Sequence, residues 1–479
     1  MNILSLLIPF AEQLLQAEKE LYEHPDQLAA FERSVADSSH RTAADFMSMV
    51  LTDMDERLCE NSLRKEGYNI QRQDRRTLIT TVGDVRFPHT LFLDKETKKC
   101  RYLLDEVIGL PAHERFSSLA EAKMLYEAEV HSYRHAAESL TIGEQTVSKT
   151  AVMGKVHRIL EDLPEEAGPA EEEKKQCEYL YIEADEDHIS RQKGDPEKGS
   201  LLGKLVYLFE GKEEICKGKR ILVGTHYHGG LYAGSKKNRQ LWEEVQRYIE
   251  THYDTEALRR VYICSDGGGW IKAGKDCIDK SVLVADRYHL MKYINRASGL
   301  MLDEEEETKK KFYRYIHRNE LQAVEKLLTR IKNSAGQDER IEEIRTYFIH
   351  NWEAIRRAFH DRHALGCSAE GHVSNVLSER MSSRPMGWSE RGSDRMCKLR
   401  CYVRNHGKEG IIDLVEYRRQ KKREALKATG TDGMVEAQPR KRYTQAQRQV
   451  MIYAEKMQAS IAGDTVRKTL AIREHLNNL

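Results

Sequence analysis

The chain has 479 residues, and its 77 lysines and arginines balance 77 aspartates and glutamates, leaving no formal net charge. That length allows two to four domains at roughly 100–200 residues each. A mean hydropathy of −0.68 excludes a membrane-spanning helix, as does the lack of any apolar run near the ~20 residues one requires. The apolar opening through Phe10 lacks a basic n-region and a small-residue cleavage site, so it does not read as a signal peptide. Nine scattered cysteines argue for a reducing, cytoplasmic setting rather than a disulfide framework. Cys397 and Cys401 stand four apart, but no second Cys/His pair lies at zinc-ligand spacing.

The balanced total hides an asymmetry. Residues 161–178 hold eight acids against two bases, whereas residues 376–450 hold 18 bases against nine acids. A basic excess of that size attracts a phosphate backbone; the alternative is an ordinary solvated helical surface.

In chain order, residues 1–70 read as helices, with Leu14, Leu15 and Leu21, then Phe46, Met49, Val50 and Met54, at helical spacing. Residues 71–115 change period. Leu78, Ile79, Val82, Val85 and Phe87 around Gly83-Asp84 predict a hairpin, and Leu91 to Leu93 and Tyr102 to Leu104 predict further strands. Residues 116–160 predict a helix-turn-helix. A short helix over Ser132–Leu140 would end near Gly143, and a second would open at Glu144 and run through Val156. Gln145, Thr146, Ser148 and Lys149 would then face a DNA major groove, although similar helix pairs occur in ordinary bundles. Residues 161–178, with Pro164, Gly168 and Pro169, form an acidic linker and the best domain boundary.

Residues 179–290 predict an α/β unit. Strands are expected at Tyr179–Asp185, Lys204–Phe209, Arg220–Thr225, Arg260–Cys264 and Ser281–Ala285, with a helix over Trp242, Val245, Tyr248 and Ile249. Three hairpin-linked strands followed by two reached through helices is the order of a ribonuclease H-like mixed five-stranded sheet. Residues 291–365 predict an all-α insertion, residues 366–400 a final helix of the core, and residues 401–479 a basic helical C-terminal region.

Strand ends are where an open α/β sheet places its chemistry. Asp185 closes the first predicted strand and Asp266 directly follows the fourth, and in this order those strands lie side by side. Two carboxylates pressed together repel unless a divalent cation fills the gap. Alone, each aspartate would read as a cap or turn residue. A third oxygen ligand is needed for two hard cations. The candidates are Glu370 and Glu379, whose nine-residue spacing rotates a regular helix by about 900° and leaves only one able to reach the sheet. Asp286 and His289 stand one helical turn apart beyond the fifth strand, in either a capping or a chemical role. Arg380, Arg384 and Trp388 combine guanidiniums with an indole, a set suited to phosphates and an unstacked base, or to anchoring a helix end.

Three segments carry a family likeness: Cys264-Ser-Asp-Gly-Gly-Gly-Trp270, Ala285-Asp-Arg-Tyr-His-Leu-Met-Lys292, and Ser368-Ala-Glu-Gly-His-Val373 with Arg380-Met-Ser-Ser-Arg-Pro-Met-Gly-Trp-Ser389. They resemble the ISLre-type insertion-sequence transposases of bacteria, within the broad Mutator-like group of DDE transposases, over essentially the whole chain. The resemblance implies a catalytic and metal-binding triad of Asp185, Asp266 and Glu370, with Glu370-Gly-His372 a better match than Glu379. Asp286 and His289 would fit the group's C/D-x-x-H signature, and His372 would support the glutamate. It further implies two Mg²⁺ (or Mn²⁺) ions, a double-stranded DNA partner comprising transposon ends and target, and a homo-oligomer on that DNA at the nucleoid. A ribonuclease H-like nuclease that does not join strands, and a non-catalytic DNA-binding protein, are the rival expectations.

Overall fold

The computed structural model describes residues 3–159, 173–197, 199–334 and 339–427. Most of the acidic linker and residues 428–479 of the expected basic tail lie outside them. The chain divides into two compact units, one of residues 1–155 and 411–479, the other of residues 156–410. Among the described residues no helix is long and apolar enough to cross a membrane.

The first unit opens with helices α1 (Leu4–Glu23), α2 (Leu28–Glu60) and α3 (Ser62–Gly67). Strands β1 (Tyr68–Thr80) and β2 (Gly83–Asp94) form a long antiparallel hairpin, to which the two-residue β3 (Cys100–Arg101) adds. One face of α2 packs on the hairpin through Ala44 and Leu58 against Val85, Phe87 and Phe92. The buried Asp55 carboxylate of α2 accepts the Thr90 amide at 3.2 Å and its hydroxyl at 2.6 Å, fixing the helix to β2. The strand expected at Tyr102–Leu104 is instead the start of helix α4 (Leu103–Ile108). Leu103 and Leu104 are both fully buried there.

Helices α5 (Ser118–Val130), α6 (Tyr133–Glu138) and α7 (Lys149–Ile159) follow. The expected helix-turn-helix is altered here. The second helix begins at Lys149 rather than Glu144, so ten residues, not a tight turn, separate α6 from α7. The cause is local. The Asp84 carboxylate in the β1–β2 hairpin accepts the amides of Glu144 at 2.8 Å and Gln145 at 2.9 Å, and Arg86 pairs with Glu144. A Cβ on Gly143 would stand 2.5 Å from that carboxylate, so only glycine lets the loop approach so closely. The Ser148 hydroxyl accepts the Ala151 amide at 3.1 Å and starts the helix there.

The second unit is built on a five-stranded mixed sheet. Its strands are β4 (Tyr179–Ser190), β5 (Ser200–Phe209), then, after a separate hairpin of β6 (Gly211–Cys216) and β7 (Lys219–Val223), β8 (His226–Gly230). Helix α8 (Gly234–His252) leads to β9 (Arg260–Ser265), and the short α9 (Gly269–Lys272) precedes β10 (Ser281–Ala285). The spatial order is β10-β9-β4-β5-β8, with β4, β5 and β8 antiparallel in turn and β9 and β10 parallel to β4. The expected third strand is corrected. Arg220–Val223 pairs with β6 outside the sheet, and the edge position belongs to His226–Gly230, whose His-Tyr-His-Gly-Gly sequence has no apolar alternation to announce it.

One face of the sheet carries Leu180, Ile182, Val206, Leu208, Val261 and Ile263, covered by Leu241, Trp242, Val245 and Ile249 of α8. The helical block follows as α10 (Arg287–Ser298), α11 (Glu305–His317), α12 (Leu321–Ser334) and α13 (Arg340–His360). Then come α14 (Ala369–Val373), a π-helical turn over Ser374–Ser378, α15 (Glu379–Met381), and α16 (Glu390–Lys427), which is interrupted by left-handed backbone at Gly407. The expected boundary at residue 400 therefore falls inside a helix.

The opposite face of β4 presents Glu183, Asp185 and Asp187 by simple alternation. Glu183 is only 2% exposed and binds the start of α14. Its carboxylate accepts the Ser368 amide at 2.6 Å and hydroxyl at 3.1 Å, together with the Tyr207 hydroxyl and the Lys212 ammonium. Asp187 accepts the Ser382 hydroxyl at 3.0 Å. The segment from Ser368 to Ser382 is thus pinned at both ends along β4, with Asp185 between the pins. Glu183→Ala should destabilise the second unit by about 3 kcal/mol, because it strands buried donors and a cation. All four tryptophans lie in that unit, so the urea midpoint followed by tryptophan fluorescence measures it, and an unchanged midpoint would refute the anchoring role.

Candidate active site

The parallel register of β4 and β9 pairs Glu183 with Cys264. Asp185 lies two residues beyond that last pair on β4 and Asp266 directly follows β9, near enough for its charge to act on the Asp185 carboxyl. The stacked rings of Tyr181 and Tyr262, centroids 5.5 Å apart one pleat earlier, report the same register. Asp266 leaves the end of β9 in a tight turn. Its carboxylate accepts the Gly268 amide at 2.7 Å, and the Ser265 hydroxyl accepts the Gly267 amide at 3.1 Å. Gly267 has φ +107°, and the Tyr347 ring of α13 closes over it, 3.0 Å from where a Cβ would sit.

Beyond β10, Asp286 caps α10 by accepting the Tyr288 amide at 2.8 Å, and its other oxygen meets His289 Nδ1 at 2.7 Å. The Asp286 amide donates to the Ser265 carbonyl at 3.0 Å, which holds this pair beside the end of β9. Burial pushes the Asp185 carboxyl above its ordinary range, the Glu186 amide opposes that, and the neighbouring Asp266 charge adds to it. Burial alone would raise Asp286 too, but the His289 contact and the Tyr288 amide outweigh it and hold that carboxyl below its usual range. His289 is raised, first by its bond to Asp286 and also by the charges of Asp286 and Asp266. The arrangement sets the Asp185 and Asp266 carboxylates beside an imidazole whose acidity Asp286 chiefly controls.

The glutamates sit on the pinned segment. Ala369 and Val373 face inward, while Glu370, two residues past the Ser368 anchor, and Glu379, three before the Ser382 anchor, are exposed. Glu379 lies 3.8 Å from the Arg400 guanidinium. The π-helical turn between them, closed by i→i+5 bonds, turns less per residue than an α-helix, so the two are not on opposite faces as a regular helix would require. His372 is packed on the sheet: its ring stacks on Tyr207 at 4.4 Å and its Nδ1 meets the Tyr227 hydroxyl at 2.9 Å, with burial lowering its pKa.

Other expected contacts fall elsewhere. Arg380 and Trp388, 2% and 6% exposed, are buried against each other with the guanidinium 5.0 Å above the indole. The Trp388 ring donates to the Met381 carbonyl at 3.0 Å, and its backbone bonds the end of β4 at Ser190. This pair anchors a helix end and offers no face to a base; Arg384 is half-buried beside it. In the first unit Thr146, Ser148 and Lys149 are exposed and Gln145 is half-buried near Arg115, with Gln145 and Thr146 in the loop before α7. All nine cysteines are free. Burial pushes the Cys401 thiol up to about 12 and Cys397 well above its ordinary value. Reading the sequence missed Glu183, Asp187 and Tyr347. The first two were visible as acids at i±2 of Asp185 on one strand, whereas nothing near Tyr347 announces its place over Gly267.

The family described as "Uncharacterised protein family (UPF0236)" matches residues 27–421. Among similar proteins, one UPF0236 protein of Caldanaerobacter subterraneus subsp. tengcongensis is 31% identical over 85% of this chain and 84% of its own, and a second is 32% identical over 83% of each. A UPF0236 protein in the vanSb 3′ region of Streptococcus gallolyticus is 26% identical over 75% of this chain and 79% of its own. Among solved structures, the Drosophila P element transposase strand transfer complex is similar over 66% of this chain and 83% of that one, with 9% identity and a TM-score of 0.21.

A carboxyl raised by folding binds its proton more tightly in the folded state, so its charge lowers stability as pH rises past the ordinary carboxylate range. Asp185→Asn should therefore raise the melting temperature at neutral pH without divalent cations, by no more than about 4 °C, and the gain should vanish in acid. A scan across pH measures it, and a neutral-pH loss would contradict the charge balance described.

Proposed function

The chain belongs to the UPF0236 family, and on that premise we propose that it is a DDE transposase of a bacterial insertion sequence, of the ISLre type within the Mutator-like group. It binds transposon ends, cuts a DNA strand there and joins the freed 3′-hydroxyl to target DNA. The observation that carries this reading is the placement of Asp185 on β4 beside the end of the adjacent parallel strand β9, which Asp266 directly follows, with the acid-bearing segment Ser368–Ser382 pinned alongside. The strand order, three antiparallel strands followed by two parallel ones, supports a ribonuclease H-like core. A relative's printed name joins eleven locus designations for one protein, and one protein at many loci is what a self-copying element leaves.

The donor set fits hard divalent cations: all oxygen, and with the Asp185 carboxyl raised so long as no cation offsets it. Two Mg²⁺ (or Mn²⁺) ions held by Asp185, Asp266 and Glu370 would lower the pKa of the attacking hydroxyl and stabilise the leaving 3′-oxygen. Asp286 fixes the ring of His289 beside the pair, and Tyr347 with Gly267 shapes the Asp266 turn. In hydrolysis an O–P bond forms from water as the P–O3′ bond breaks. In joining, the freed 3′-oxygen forms the new O–P bond and a target 3′-oxygen leaves, so no protein nucleophile is required. The exposed Thr146, Ser148 and Lys149, with the neighbouring Gln145, are candidate contacts to double-stranded DNA, and Arg384 remains one near the carboxylates' segment. Two ends must be joined in one complex, which favours a homo-oligomer on DNA at the nucleoid.

Asp266→Asn should abolish Mg²⁺-dependent cleavage of end-bearing DNA while end binding persists, and wild-type cleavage by that variant would overturn the assignment. Comparing Glu370→Gln with Glu379→Gln identifies the third ligand, the expected result being loss only with Glu370→Gln. A pre-cut 3′-hydroxyl end tests joining directly, since a nuclease that only hydrolyses yields no joined product.

A further inference from the structure

The first unit contains a second cluster of metal-binding side chains, unrelated to the carboxylates of the sheet. Glu127 lies in the last turn of α5, His131 caps that helix, and His135 stands in α6. One ligand atom of each lies within 4.8 Å of the other two. Glu127 Oε2 and His131 Nε2 are 3.9 Å apart, and the rings of His131 and His135 have centroids 4.4 Å apart at 59°. All three side chains are accessible in whole or in part.

The chain is shaped to bring them together. Glu127 and His131 share a helix face at i, i+4, and the His131 amide donates to the Glu127 carbonyl at 2.8 Å. His131 then leaves the helix in extended backbone, φ −111° and ψ 176°. The Ser132 hydroxyl accepts the His135 amide at 3.2 Å and starts α6 at once. Without that sharp corner, His135 would continue along a different path. Glu127 also stands in the last turn of α5, where the helix dipole disfavours an anion and a bound cation would offset it.

We propose that Glu127, His131 and His135 bind one transition-metal dication of the zinc type, clamping the corner between α5 and α6. Two imidazole nitrogens and one carboxylate suit Zn²⁺, Co²⁺ or Ni²⁺, whereas Mg²⁺ prefers oxygen donors throughout. Metal–ligand bonds of about 2.0–2.2 Å place ligand atoms about 3.4 Å apart in a tetrahedral site, which rotations of the exposed side chains reach from the present spacing. Three protein ligands leave a position for water or for a group brought by a partner.

The test is calorimetric titration of the full, chelator-stripped chain with Zn²⁺ in excess Mg²⁺, alongside Co²⁺ absorption. The expected result is one equivalent of Zn²⁺ bound by the wild type and by Asp185→Asn/Asp266→Asn, but lost in His131→Ala/His135→Ala. The single variants Glu127→Gln and His135→Gln, milder for the fold, should weaken affinity about tenfold or more and shift the Co²⁺ d–d band. Equal Zn²⁺ uptake by the wild type and every histidine variant would overturn the proposal, as would loss of the equivalent only in the aspartate variant.

Discussion

The register between β4 and β9 is the constraint on which the site depends. A parallel pair holds residues at a constant offset, so once Tyr179 meets Arg260, Glu183 meets Cys264, and Asp185 and Asp266 each follow two residues later. A slip of one residue would turn every side chain of one strand to the other face. The register is locked from both sides. Leu180, Ile182, Val261 and Ile263 meet α8 on one face, and Tyr181 stacks on Tyr262 on the other. Two acids 81 positions apart in the chain are therefore neighbours because of apolar packing on the reverse of the sheet, not because of any attraction between them.

Glu183 extends that order to the third acidic segment. Its buried charge is tolerated because donors surround it: the Ser368 amide and hydroxyl, the Tyr207 hydroxyl and the Lys212 ammonium. Without them it would be an expensive ion at the centre of a sheet face. With them it ties the start of α14 to the strand that bears Asp185. An acid two residues from the candidate ligand thus acts as the fixture that aims the following helix, and Asp187 repeats the device through Ser382.

Much of this was legible from residue order. The apolar runs of β4, β5, β9 and β10 and the stripe of α8 gave four of the five strands of the mixed sheet and the adjacency of β4 and β9, because burial on both faces leaves a strong signal. His226–Gly230 left none, since an edge strand of histidine, tyrosine and glycine is defined by its partner β5 alone. The loop before α7 was illegible for a related reason: an aspartate some 60 residues earlier sets the point where the helix starts. Trp388 and Arg380 carried the chemistry of a nucleic-acid contact and the burial of a core pair, and composition alone does not separate the two.

The π-helical turn at Ser374–Ser378 bears most on the chemistry. Two glutamates nine residues apart on a regular helix would stand on opposite faces, and only one would face the sheet. The π-helical turn changes that phase while the Ser368 and Ser382 anchors fix both ends of the segment. Asp185 is raised by burial and by Asp266, and Glu370 is exposed on the segment held alongside. On the proposed reading, the aspartates would set the position of a cation and the helix would supply the third ligand.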